Sequence, residues 1–282
     1  MAATSKRSPY SASSNLAVPA QQALLELFEN QPHSLVTAFQ HWLESKAFFS
    51  FVQNYQSKIR KKIKLCRDVE ETYNLYCELR TAFLLLQDAK LAVAYEPYGL
   101  RDGRSADYAV TFRIHTIFHV EVTRLRTPRL ELPGDEGERA PVEPVELVRR
   151  AVSRRLSDVI CDKFGQLSPD TPNILWVWSE RSGLQPADVD EVIVNLKRRA
   201  EQRDAELYGR HGFSKPADFT RFFQRVSVVL IQSLDAQPDQ QAIIWWQNKD
   251  CKYPFPAKAA TLLRTLIAMD RSPAFATDQG NT

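Results

Sequence analysis

The sequence has few of the features that define disulfide-stapled, zinc-binding or membrane-spanning proteins. Its four cysteines lie far apart and form no CxxC pair, which argues against a zinc knuckle or a redox motif. The longest apolar runs, such as VSVVLI, are too short to cross a bilayer, and the polar N-terminus lacks the apolar segment of a secretory signal. We therefore expect a cytoplasmic protein with reduced thiols and no membrane partner.

A strong excess of either charge is also absent. The 282 residues carry a formal net charge of +3 and are 44% hydrophobic, as in an ordinary globular protein with a full core. Basic residues are nonetheless grouped in the segments KIRKKIK (58–64), RRAVSRR (149–155) and KRRAEQR (197–203). Such groups bind phosphates in nucleic-acid-binding proteins, but they are also typical of solvated helix faces, and the sequence leaves both interpretations open.

Apolar spacing divides the chain into segments of different character. Helices and strands alternate from about residue 70 to residue 270, which predicts one α/β domain with a mixed sheet. NILWVWS is apolar on both faces and is expected to be a buried strand with helices on both sides. The predicted segments are a disordered N-terminus (1–17), a helical extension (18–65), the α/β domain (66–270) and a tail (271–282).

Two carboxylates stand out in the segment SADYAVTFRIHTIFHVEVTRL, which predicts two β-strands joined by a tight turn. If the turn is centred near Ile114, Asp107 lies opposite Glu121, with Cβ atoms about 4.5–5.5 Å apart. Two buried carboxylates at that distance repel each other unless a cation lies between them. Mg²⁺ or Mn²⁺ would remove the conflict, with the carbonyl oxygen of Val122 as an additional ligand.

A structural interpretation of the same carboxylates needs no metal. Asp107 would then begin a strand at its solvated end, and Glu121 would pair with an arginine such as Arg124 or Arg113. The proposed register also depends on the turn, because a slip of one residue would send Asp107 to the other face.

The order of several short segments resembles the PD-(D/E)XK nuclease superfamily, most of all its uncharacterised bacterial members with a VEVT strand. The segments are ELRTAFLL, AYEP, SADYAV, HVEVTRL, DKFGQL, NILWVWS and WWQNKDCKYPFP, and they span about residues 70 to 260. The resemblance implies a restriction-endonuclease-like mixed sheet flanked by helices. It also implies that Asp107 and Glu121 bind the metal, that Glu78 is the supporting acid on a helix, and that such a nuclease forms a homodimer to cut two strands.

One position departs from the superfamily pattern. Thr123 stands where the superfamily has a lysine, and a hydroxyl cannot supply that positive charge. Helical periodicity places Lys163 within the apolar stripe of the segment VELVRRAVSRRLSDVICDKFGQL, with Gln166 at the edge of the stripe. Lysines that have moved to this helix are known in the superfamily, so Lys163 is the predicted substitute and Gln166 the predicted contact of phosphate or water. A lysine near a helix C-terminus is also favoured by the macrodipole alone.

Other residues have a functional and a structural interpretation. Glu78 lies at the border of the apolar stripe of its helix, where it supports the site or pairs with a surface cation. His119 shares a strand face with Glu121 and would contact phosphate, or it is a satisfied structural residue. The adjacent aromatics Phe222-Phe223 and Trp245-Trp246 would stack on bases, or they would divide between core and surface as aromatics in strands do.

Three functions are therefore weighed. The first is a Mg²⁺-dependent nuclease whose arginines, including those of the RLRTPR stretch, hold the nucleic-acid backbone with little sequence preference. The second is a catalytically inactive nuclease-like module that binds nucleic acid or a protein partner. The third is a structural subunit that assembles through residues 18–65.

Overall fold

The computed structural model describes residues 18–29, 31, 33–97, 105–126, 144–180, 184–234, 243–273 and 275, with the backbone alone for residues 144–150. The chain divides into two compact units, Met1–Ala89 with Thr265–Thr282, and Lys90–Arg264. The predicted disordered segment 1–17 lies outside the described residues, and so does most of the loop between residues 126 and 144. The border predicted at residue 65 lies within the first unit.

The first unit contains the predicted helical extension. Its helices are α1 (Val18–Phe28), α2 (Val36–Trp42), α3 (Lys46–Leu65) and α4 (Val69–Leu85). Ser45 and Asp68 begin α3 and α4, because their side chains accept hydrogen bonds from the N–H groups of Phe48 and Glu71. Aromatic rings fill the space between these helices, with Trp42 fully buried against Tyr76.

Residues near the C-terminus pack into this same unit: Asp270, Pro273 and Phe275. Arg80 on α4 forms a buried ion pair with Asp270, with 2.7 Å between Nη2 and Oδ2. Tyr76 donates a hydrogen bond of 2.5 Å to the carbonyl oxygen of Pro273, and the ring of Phe275 lies 4.4 Å from that of Tyr73. The segment predicted to be a tail therefore begins with residues that contribute to the core.

The second unit is built on a six-stranded mixed sheet flanked by helices. Its strands are β1 (Leu91–Tyr95), β2 (Tyr108–Phe112), β3 (Thr116–Leu125), β4 (Asn173–Ser179), β5 (Val228–Ser233) and β6 (Ile243–Gln247). They lie side by side in chain order. Strand β4 is parallel to both β3 and β5, whereas all the other neighbours are antiparallel.

Helices cover the sheet face that carries Leu175 and Val177. They are α5 (Pro144–Lys163), a 3₁₀ helix (Phe164–Gln166), α6 (Pro186–Glu201), α7 (Ala205–His211) and α8 (Pro216–Phe223). A further helix, α9 (Ala257–Ala268), follows β6 in the chain. Leu156 and Ile160 of α5 are fully buried in the apolar cluster that includes Leu175 and Val177. As expected from the apolar NILWVWS segment, every residue of β4 is buried. The predicted α/β class is confirmed.

Helix α8 corrects the interpretation of one aromatic pair. Phe222 and Phe223 end this helix and do not lie in a strand. The helix forms because Pro216 opens its first turn and Asp218 accepts hydrogen bonds from the N–H groups preceding it. Phe223 is buried, together with Phe219 one turn before it, which is helical spacing. Trp245 and Trp246 do lie in a strand, β6.

Candidate functional site

The β2–β3 hairpin has the register predicted from the sequence. Tyr108 pairs with Val120, and the turn between the strands is centred on Ile114. Continuing the register by one residue places Asp107, which immediately precedes β2, opposite Glu121. Because directly opposed side chains share one face of a sheet, this register favours the same side for the two carboxylates.

Asp107 is held against β3 by its own carboxylate. Its Oδ2 accepts a hydrogen bond of 2.8 Å from the backbone N–H of Val122, at a point where β3 has continued past the start of β2. In an antiparallel ladder the N–H and C=O of one residue point to the same neighbouring strand. The carbonyl oxygen of Val122 is therefore directed to the side on which Asp107 lies, as its predicted role requires.

Glu121 and Lys163 meet at the centre of the site. Their atoms Oε1 and Nζ lie 2.7 Å apart, although the two residues are separated by 42 positions in the chain. The side chain of Glu121 is 1% exposed and that of Lys163 is 23% exposed. Burying a carboxylate without a partner costs several kcal/mol, and the ammonium group of Lys163 provides Glu121 with a partner of opposite charge.

The position of Lys163 follows from the helix that carries it. Leu156 and Ile160 anchor α5 to the apolar cluster, and Lys163 is the last residue of the same helix. Gln166 follows on the 3₁₀ helix. Its amide Oε1 is buried and, within the described part of the chain, accepts no hydrogen bond. An inward-facing amide of this kind has capacity left for a ligand.

Thr123 and His119 share the face of β3 that carries Glu121, one on each side of it. Thr123 is half-buried and pairs with Val177 of β4. The Nδ1 atom of His119 lies 2.7 Å from the hydroxyl oxygen of Thr171, and burial lowers the pKa of His119. The contact with Thr171 is the kind of partner that the structural interpretation of His119 requires.

Asn173 fixes the turn between the 3₁₀ helix and β4, and nothing in the sequence analysis identified it. Its side chain is fully buried and accepts a hydrogen bond from the N–H of Ser168. Its amide group donates to the carbonyl oxygens of Ser168, Thr171 and Arg225, each at 2.9 Å. The one signal in the sequence was a polar residue at the start of an otherwise apolar strand.

Asn248 fixes a second turn, in the segment WWQNKDCKYPFP. It is 2% exposed, and its amide donates to the carbonyl oxygens of Phe223 and Val226. These bonds hold the segment after β6 against the end of α8 and the loop that leads into β5.

Glu78 lies on α4 in the first unit, whereas Asp107, Glu121 and Lys163 lie in the second. Its Oε1 atom is 2.5 Å from Nζ of Lys62, which is the cation pairing that the structural interpretation expected. Its supporting role in the site remains a prediction from the resemblance.

The basic segments are partly paired with acids. Arg60 and Lys64 contact Glu29, and the hydrogen bond from Arg60 is the main reason that the pKa of Glu29 is lowered to about 2. Arg199 pairs with Asp204 at 2.8 Å. In the RLRTPR stretch, Arg124 lies 3.1 Å from Glu180, and the residues after position 126 lie outside the described ranges.

The oxygen atoms predicted to bind metal are of the type that a hard divalent cation takes. Two carboxylates and one backbone carbonyl are the donors that Mg²⁺ takes, together with water. In the described part of the chain there is no cluster of three or more His, Cys, Asp or Glu residues that could hold a metal. A cation at this site would therefore depend on Asp107 and Glu121 as its two charged ligands.

No protein-family model, curated protein or solved structure matches this chain. Among the helices of the described ranges, none has the length and apolar character needed to span a membrane. The chemistry of the site is therefore the main guide to function.

Proposed function

We propose that the second unit is a Mg²⁺- or Mn²⁺-dependent nuclease with a restriction-endonuclease-like fold, which hydrolyses phosphodiester bonds of nucleic acid. One observation carries the proposal: Nζ of Lys163 lies 2.7 Å from Oε1 of Glu121, on the face where Asp107 opposes Glu121. In this proposal Lys163 supplies from a helix the positive charge that Thr123 does not provide.

The order of elements supports the proposed fold. An acid-bearing helix is followed by the Asp107 strand, the Glu121 strand and a helix with a lysine, as the resemblance implies. Each of these residues except Glu78 lies in the second unit.

The residues of the site have separable tasks. Asp107, Glu121 and the carbonyl oxygen of Val122 would hold the cation, which activates a water molecule and stabilises charge on the scissile phosphate when bound. Lys163 keeps the Glu121 carboxylate in place and presents a positive charge near the phosphate. Gln166 offers a buried amide oxygen that can accept a hydrogen bond from the attacking water, while its NH₂ group is the donor that could contact the phosphate.

The test is cleavage of labelled single-stranded and duplex DNA and RNA in Mg²⁺ and in Mn²⁺. Glu121→Gln and Asp107→Asn should abolish cleavage and weaken binding of Mn²⁺ in calorimetric titration. Glu191→Gln is the matched control, because Glu191 is an exposed carboxylate on α6. Unaltered cleavage in Glu121→Gln would refute the proposal.

Moving the positive charge from helix α5 to strand β3 makes the test more specific. Lys163→Ala should lose activity, and adding Thr123→Lys should restore part of it, because position 123 lies two residues from Glu121 on the same strand face. Restoration would show that the site needs a cation beside Glu121 and that either element can supply it. Binding of nucleic acid without turnover under any divalent cation would select the inactive module instead.

A further inference from the structure

Two arginines, Arg221 and Arg225, lie near the 3₁₀ helix that carries Gln166, at the end of the sheet where β4 and β5 begin. Arg225 precedes β5, and its Nη1 atom donates a hydrogen bond of 3.4 Å to the carbonyl oxygen of Leu167. Leu167 immediately follows Gln166. Arg225 is therefore next to the residues predicted to contact phosphate, although it comes from a different part of the sequence.

A single aromatic ring positions both arginines. The guanidinium carbon of Arg225 lies 4.8 Å from the centroid of the Phe222 ring, and that of Arg221 lies 5.2 Å from the same centroid. The Phe222 ring is parallel to that of Phe164, within 9° and at 6.2 Å. Phe164 begins the 3₁₀ helix that carries Gln166. The contacts therefore tie both guanidinium groups to the element that carries Gln166.

The backbone at Arg225 is also fixed. Its carbonyl oxygen accepts the hydrogen bond of 2.9 Å from the amide of Asn173, which is fully buried at the start of β4. A cation on a fixed backbone loses little conformational freedom when it binds an anion.

The charges here favour an added anion. The Nε–H group of half-buried Arg225 is itself buried and finds no acceptor within the described part of the chain, so it is an unused donor. Burial and then the charge of Arg221 lower the pKa of Arg225, while Asp170 acts in the opposite direction. Among the described residues, Arg221 contacts the carboxylate of Asp218, at 3.4 Å, and that carboxylate already accepts two backbone N–H groups. A phosphate would relieve the repulsion between the two arginines.

We propose that Arg225 and Arg221 bind a backbone phosphate of the nucleic-acid strand, on the side of the Glu121–Lys163 site where Gln166 lies. This assignment rests on the proposed function for its ligand. It adds a second point of contact that fixes the strand relative to the site without reading its sequence.

The experiment measures binding of fluorescein-labelled 20-nucleotide strands by anisotropy in EDTA, over a series of salt concentrations. DNA and RNA, each single-stranded and duplex, distinguish the sources of the phosphate. The full chain is compared with Arg225→Gln, Arg221→Ala and the control Arg210→Ala. Arg210 is an exposed arginine on α7, outside the three basic segments, and its charge is already paired with Asp158 at 2.7 Å.

We expect Arg225→Gln and Arg221→Ala each to weaken binding about fivefold or more and to reduce the slope of log K against log salt by about 1. The control should keep the affinity and slope of the parent. Arg221 is exposed, so Arg221→Ala remains decisive if Arg225→Gln does not fold. Parent-like affinity and slope in both variants would overturn the assignment, and so would an absence of binding by the parent chain.

Cleavage measured on the same strands separates the two proposals. Cleavage that Glu121→Gln abolishes and that neither arginine variant alters, with unaltered binding, would leave the nuclease standing and reject the phosphate contact. Arginine-dependent binding without cleavage would support the phosphate contact and reject the nuclease.

Discussion

Replacing Lys163 by methionine tests the central ion pair directly. Methionine keeps most of the length of the side chain but removes the charge, so Glu121, 1% exposed, would be left buried beside Asp107 without its ammonium partner. Breaking a buried ion pair in this way costs about 3–5 kcal/mol. Because Lys163 is itself 23% exposed, water reaches one end of the pair, and we expect a loss of about 2–3 kcal/mol in the free energy of unfolding.

Urea unfolding followed by tryptophan fluorescence measures this loss, since the buried Trp176 and Trp178 lie on β4, adjacent to β3. The control is Lys197→Met, which removes an ion pair with Asp250. The side chain of Lys197 is 39% exposed and that of Asp250 is 59% exposed. That variant should lose less than about 1 kcal/mol. Equal losses in Lys163→Met and Lys197→Met would refute the reasoning, because the first pair would then be no better shielded than the second.

A divalent cation should partly replace the missing ammonium. Binding to the native state at ten times the dissociation constant adds about 1.4 kcal/mol to the free energy of unfolding. We therefore expect millimolar Mg²⁺ to recover part of the loss in Lys163→Met, and to stabilise Lys197→Met no more than it stabilises the parent chain. Adding Glu121→Gln to Lys163→Met should recover stability without metal and abolish the response to Mg²⁺, because the buried charge is gone. A response to Mg²⁺ that persists in the double variant would place the cation elsewhere.

Three further outcomes test the fold by chemical unfolding. Gly212→Ala should lose about 1 kcal/mol of the free energy of unfolding, because Gly212 has φ of 69° at the end of α7, whereas Gly209→Ala within that helix should gain up to about 1 kcal/mol. Neither new Cβ would meet another atom within 4 Å. A change of the same sign in both variants would contradict this reasoning. Asn173→Ala should lose at least about 3 kcal/mol because several buried groups lose their hydrogen bonds, and the exposed Asn195→Ala should change stability by less than about 0.5 kcal/mol. Burial raises the pKa of Tyr76 to about 12 from 10.0, so its contribution to stability is complete below pH 10 and is lost as the pH rises toward 12. Tyr76→Phe should flatten that alkaline loss, and an unchanged slope would show that other groups cause it.

The parts of the site that could be predicted are those fixed by local periodicity. Alternation along a strand and the position of a tight turn determine the hairpin register, so Asp107 and Glu121 could be placed opposite each other. The apolar stripe of one helix determines which side faces the sheet, so Lys163 could be directed toward β3. Neither inference needs information from distant segments beyond the order of the elements.

The parts that could not be predicted depend on contacts between distant segments. Asn173 is identified by the carbonyl groups that surround it, and one of these belongs to Arg225, 52 residues away. Adjacent aromatics such as Phe222-Phe223 fit a strand as well as a helix, and α8 is revealed only by the proline and aspartate that start it. The packing of Asp270 cannot be seen locally, because its partner Arg80 lies 190 residues earlier.

The exchange of lysine for threonine at position 123 shows how these two kinds of information combine. In the superfamily that the sequence resembles, a lysine two residues after the carboxylate lies on the same face of one strand. In this chain Lys163, at the end of α5, lies 2.7 Å from the carboxylate of Glu121. The proposed function requires a positive charge near Glu121, and a helix can supply it as well as a strand can. The proposal therefore places that charge on Lys163, whose removal is the first test of the argument.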